Sequence, residues 1–165
     1  MSAIMLVVGS RVLGDSAAMA DWARAQITLA IDTYTPNVLV TGDDRGVDRI
    51  AFLIATDRHI ESFRYKLNAQ IVDQLDEERG LWATPPVDHE ELDGDLMTWR
   101  LLRSSVMVSH CNKKKQVGNT IVCLALVASW SKTSVTMHAA NAAKKHGIET
   151  IICRIDNSGT IEGGA

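Results

Sequence analysis

The chain has 165 residues, 46% of them hydrophobic, with a formal net charge of −3 and three cysteines. That length suits one domain with a real core and is short for two ordinary ones. With no apolar run long enough to cross a bilayer, no basic leader at its start, and Cys111, Cys123 and Cys153 too scattered for a disulfide framework or a zinc pair, a cytoplasmic protein with structural thiols and no membrane contact is expected.

In chain order, residues 4–8 form a continuous apolar run that reads as a buried strand, with Gly9, Ser10 and Arg11 as its exit turn. Gly14, Asp15 and Ser16 then offer caps for a helix whose apolar positions Met19, Trp22, Ala23, Ile27, Ala30 and Ile31 follow the helical period. A second strand over 38–41 stops at a turn bounded by Gly42 and Gly46, and Val47, Ile50, Ala51 and Ile54 resume at helical spacing over 47–58. Phe63 and Tyr65 alternate with polar neighbours over 62–67, which fits a third strand near a sheet edge.

The stretch 82–95, with Pro85, Pro86 and the pair Asp93 and Gly94, reads as a loop inside an acidic insert at 73–95. A helix over 95–114 follows, then a strand over 121–128. The last helix, 134–146, closes on Lys144, Lys145 and His146 before Gly147, as a dipole-complementing, glycine-terminated end should. A final strand over 150–154 completes a domain of residues 1–155, and 156–165 reads as a polar, glycine-containing tail. Alternation of this kind predicts an α/β domain with a mainly parallel sheet flanked by helices on both faces. Ligands of such sheets bind beyond the carboxyl ends of the strands, so the turns after the first, second and fourth strands are the expected site.

Those turns carry the chemistry. Helix N-termini have unpaired N–H groups and a partial positive charge, so glycines, hydroxyls and cations there suit a phosphate or carboxylate. The segment Val7 through Arg11, the segment from Val40, Thr41 and Gly42 through Ala51, and the segment 130–138 together resemble the three signature turns of the SLOG superfamily, and Arg103 through Met107 resembles its R-N-x-x-M helix start with Ser104 in place of Asn. The resemblance implies a three-layer Rossmann-like fold and a nucleotide-type ligand, and it relates the chain to Lonely-Guy-type phosphoribohydrolases, DNA-processing proteins and small stand-alone SLOG domains.

Two departures bear on function. Val135 stands where the family usually has glycine, which places a side chain against the phosphate position, and Ala139 stands where the hydrolytic branch has its glutamate. Candidate ligand-binding residues are Gly9, Ser10, Arg11, Gly42, Arg45, Gly46, Asp48, Arg103, Lys132, Thr133, Ser134 and Thr136, with no catalytic residue assigned and no cofactor expected. Asp48 reads equally as a ribose ligand or a carboxylate on its own helix dipole, His138 as a satisfied core or interface histidine, and Asp43 with Asp44 as solvated turn carboxylates in preference to metal ligands.

Arg100, Arg103, Met107, His110 and Lys114 recur at spacings of three and four and define one helix face, a basic stripe able to receive phosphates, an acidic partner or the chain's own insert. The favoured expectation is binding or sensing of a nucleotide or nucleotide-derived molecule. A nucleoside-monophosphate hydrolase is the alternative, and a single-stranded DNA accessory domain, using the stripe with Lys113 and Lys115, comes third, because the chain is acidic and its tryptophans are scattered. A homodimer or higher oligomer is expected from apolar helix positions around Trp99, Val106 and Met107.

Overall fold

Strand β1 (Ala3–Gly9) is apolar throughout because both its faces are covered. Ile4, Leu6 and Val8 point into one core and Met5 and Val7 into a second on the opposite side of the sheet. The computed structural model describes residues 2–65, 96–130, 135–156 and 161–162. The acidic insert at 73–95, the turn residues Lys132, Thr133 and Ser134 and most of the expected tail lie outside them.

After β1 come a short 3-10 turn (Arg11–Gly14), α1 (Ala17–Tyr34), β2 (Val38–Gly42), α2 (Val47–Asp57) and β3 (Glu61–Tyr65). The described chain continues with α3 (Leu96–Gln116), β4 (Thr120–Ala128), α4 (Val135–Lys145), β5 (Glu149–Ile155) and β6 (Ile161–Glu162). The sheet order is β3-β2-β1-β4-β5-β6, with the first five strands parallel and β6 antiparallel to β5. Helices α1 and α2 cover one face through Trp22, Ile27, Ile31, Val47 and Ala51, while α3 and α4 cover the other through Met107, Val108, Cys111, Ala139 and Ala143. The result is a three-layer, Rossmann-like α/β fold in which the chain steps away from β1 on one side and returns beside it as β4. That reversal puts the switch point at the carboxyl ends of β1 and β4.

Local signals set the element ends. Ser16 caps α1, its hydroxyl accepting from the Met19 N–H at 3.2 Å. Gly147, at φ +71, ends the turn after α4 in the left-handed conformation that glycine adopts without strain. Gly9 is required by packing, because a Cβ there would overlap the Val47 side chain at the start of α2. Removing that Cβ lets α2 sit down on the end of β1.

Three expectations change. The segment after residue 155 was expected as a tail only, yet Ile161 pairs with Ile155, because β5 would otherwise present an unpaired edge. The α3 face bearing Arg103 and Met107 was expected as an accessible basic stripe, but it is the face that packs on the sheet: Arg103 is 4% exposed and Met107 2%. His110 is turned inward as well, hydrogen-bonded through Nδ1 to the Tyr65 hydroxyl. Self-association also loses Met107 as a contact, since that side chain belongs to the protomer's own core and Val106 packs partly against it. No helix among the described residues is long and apolar enough to cross a membrane.

Candidate functional site

The turn after β1, the turn after β2, the first half of α3 and the start of α4 enclose a cavity of about 150 Å³ at the switch point. Gly9, Ser10 and Arg11 line it from the first turn, Gly42, Asp44, Arg45 and Asp48 from the second, Arg100, Arg103, Ser104 and Met107 from α3, and Val135 and Thr136 from α4. The sequence candidates Gly9, Ser10, Arg11, Gly42, Arg45, Asp48, Arg103 and Thr136 therefore meet in one place. Gly46 does not line the cavity: at φ +80 it caps α2 with its Cα against the Arg11 carbonyl, where any Cβ would collide. Lys132, Thr133 and Ser134 fall outside the described residues.

Arg103 organises the floor. Its Nη1 donates to Asp43 Oδ1 at 2.8 Å and its Nη2 to Asp44 Oδ2 at 2.6 Å, so one buried guanidinium holds both carboxylates of the turn. Asp43 and Asp44, expected to be solvated, are ion-paired because α3 brings a cation across from about sixty positions away in sequence. Arg100 Nε adds a longer contact to Asp44 Oδ2 at 3.8 Å. Burial by itself would raise the Asp44 carboxyl, but Arg103, with help from Arg100 and Arg11, holds it below the usual carboxylate range. Burial likewise opposes the Arg103 charge, and Asp44, Asp48 and Asp43 more than restore it.

Asp48 is different. It is 6% exposed in the first turn of α2, and Arg103 spends its two terminal nitrogens on Asp43 and Asp44 instead. Desolvation pushes its carboxyl up to about 6, with Arg103 opposing the rise, the Asp44 charge reinforcing it, and hydrogen bonds from the Thr41 hydroxyl and the Asp44 N–H opposing it more weakly. Its Oδ2 accepts the Asp44 N–H at 3.2 Å, which ties the turn to the helix. Its Oδ1 lies 3.0 Å from the Thr41 hydroxyl, which is also 2.9 Å from the Val7 carbonyl. One hydroxyl proton cannot fully serve two acceptors. Both contacts are satisfied when Thr41 donates to Val7 and a neutral Asp48 donates to Thr41. Asp48 is thus a structural keystone of the turn as well as part of the cavity wall.

Several donors have no acceptor among the described residues. Ser10 Oγ accepts from the Ala128 N–H at 3.1 Å and keeps its own proton. The Nε atoms of Arg11 and Arg103 are buried without a hydrogen-bond acceptor among the described residues. Gly42 lies beside the second of these: a Cβ there would stand 3.2 Å from Arg103 Nε and closer still to Asp48 Oδ2. Its glycine is dictated by this carboxylate and guanidinium, which adds a reason to the close approach of an anion. Arg45 is largely exposed and pairs with Asp15 at 3.4 Å, so it sits at the rim.

Other expectations resolve away from the cavity. His138 is exposed, not in the core, and pairs with Ser105 across α3 and α4, Nε2 to Oγ at 3.0 Å. Ala139 is fully buried against the sheet and offers no chemistry. Among the described residues no group of His, Cys, Asp or Glu is arranged to hold a metal ion. Sequence reasoning missed the roles of Asp44 and Arg100. The available signal was the run of α3 cations facing a chain whose nearest strand-end carboxylates are Asp43, Asp44 and Asp48. Comparison with family models, curated proteins and solved structures gives no significant match.

Proposed function

We propose that the cavity binds the anionic end of a nucleotide or nucleotide-derived molecule, and that the chain is a SLOG-type binding or sensing module. One observation carries the reading: Arg11 and Arg103 line the same cavity, and the Nε–H group of each is buried with no acceptor among the described residues. Buried donors are rarely left unsatisfied, and an oxyanion is the ligand that would satisfy them. The hydroxyl of Ser10, which keeps its proton, adds a neutral donor. At about 150 Å³ the cavity is smaller than the roughly 300–1,000 Å³ of pockets that engulf a whole ligand, so it suits the phosphate end, with the rest projecting outward.

A second reading, hydrolysis of a nucleotide's N-glycosidic bond, draws on a different observation. Two carboxyl groups, Asp44 and Asp48, line the cavity with affinities for protons pushed in opposite directions, as acid and base partners require. Against it, both Asp48 oxygens are engaged within the protein, which makes binding without turnover the favoured outcome.

The test is calorimetric titration of wild type, Arg11→Ala and Lys145→Ala with nucleoside 5′-monophosphates and ADP-ribose, with chromatography of each mixture for released base. Loss of a charge-assisted hydrogen bond in a desolvated site costs ~1.5–3 kcal/mol, so Arg11→Ala should bind ten- to a hundred-fold more weakly. Lys145, exposed at the far end of α4, should be within twofold of wild type, as expected of a screened surface charge. Equal binding by Arg11→Ala and wild type removes the cavity as the site.

A further inference from the structure

We propose that the cavity takes up its anion together with one proton, which resides on Asp48. The inference rests on the anion-binding reading and adds to it a regulation that the charge layout of the cavity imposes. An incoming anion and an ionised Asp48 would be like charges in one small cavity drawing on the same Arg103. Like charges at that range disfavour each other's ionised form, so each bound anion favours neutral Asp48. By linkage, neutral Asp48 favours the anion.

The neighbours of Asp48 make this possible. Thr41 of β2, with the Val7 carbonyl of β1 behind it, already accommodates a neutral carboxyl by the proton count above. Arg103 of α3 faces Asp48 while its terminal nitrogens are committed to Asp43 and Asp44, so it steadies an ionised Asp48 only through space. Arg64 of β3 lies near enough to feel the Asp48 charge, with its Nε on the Gly42 carbonyl at 3.2 Å. Arg49, on the same helix as Asp48, is exposed. Asp44 is held ionised by Arg103, whose own charge Asp44 supports in return. No histidine lines the cavity among the described residues. Among the described lining residues, Asp48 is therefore the group whose carboxyl is raised towards neutrality.

The probe is sulfate, which stays a dianion where phosphate would itself titrate. Sulfate affinity is measured by calorimetry at steps from about pH 5.5 to about pH 8 for wild type, Asp48→Asn and Arg11→Ala, and wild type is repeated in buffers of different ionisation enthalpy to count protons. Wild type should weaken by up to roughly tenfold per pH unit once above about pH 6, with close to one proton taken up per sulfate at the upper end. In Asp48→Asn, a permanently neutral isostere, that slope and that proton uptake should vanish. Pronounced wild-type binding with no proton uptake overturns the Asp48 linkage and leaves the anion site standing. A slope retained in Asp48→Asn does the same. Sulfate binding that Arg11→Ala leaves untouched, or no binding at any pH, overturns the anion reading itself. Should Asp48→Asn fail to fold, the proton count on wild type decides alone.

Discussion

Replacing Asp48 by Asn tests, without any ligand, whether the fold strengthens this carboxyl's hold on its proton. In the protonated arrangement Asp48 donates to Thr41 and accepts from the Asp44 N–H, and an Asn side chain can reproduce both contacts with its NH2 and carbonyl. The Asp48 carboxyl is raised to about 6 in the folded chain by burial, against an unfolded value of about 3.9. A carboxyl raised on folding contributes stability that is complete below the unfolded value and is lost as pH rises through the folded one. At ~1.4 kcal/mol per pH unit over about 2 units, the loss is about 3 kcal/mol between about pH 4 and pH 7. The Asn variant is spared it.

The difference in unfolding free energy, Asn variant minus wild type, should therefore grow by about 3 kcal/mol across that window, or roughly 6–12 °C in Tm for a chain of this size. Urea denaturation of both proteins at several pH values measures it, and taking the difference removes every other titrating group. Parallel curves for the two proteins, or a variant that loses stability uniformly, would refute the assignment of a carboxyl raised by burial.

Gly9→Ala should lose ~1–3 kcal/mol because its methyl overlaps Val47, and pairing it with Val47→Ala should cost less than the sum of the single changes by ~1 kcal/mol or more; strict additivity would disprove the packing role. Thiol labelling of the native protein should reach Cys153, which is partly exposed, and spare Cys111 and Cys123, whose thiols burial pushes up to about 12. Equal labelling of all three cysteines in the native state would show that the core around α3 and β4 is open.

Much of this architecture was legible from local pattern. A strand covered on both faces must be apolar at every position, so 4–8 and 121–128 announced central strands, and observed β1 and β4 pair with each other along their length. Helix ends were legible for the same reason: Ser16 and Gly147 act on neighbours a few residues away. The turns 9–11 and 42–48 could be placed together because parallel topology brings successive strand ends to one edge. What stayed out of reach depends on which way a helix face turns and what it meets. The α3 stripe has the same spacing whether it faces water or sheet, and only packing turned Met107 and Arg103 inward. The adjacent carboxylates Asp43 and Asp44 look solvated until a buried guanidinium from α3 reaches them. The proton state of Asp48 required knowing that Thr41 has one proton for two acceptors and that burial removes the water that would otherwise serve both. Short-range periodicity and capping are carried by neighbouring residues, whereas burial and long-range ion pairing exist only once the layers have closed.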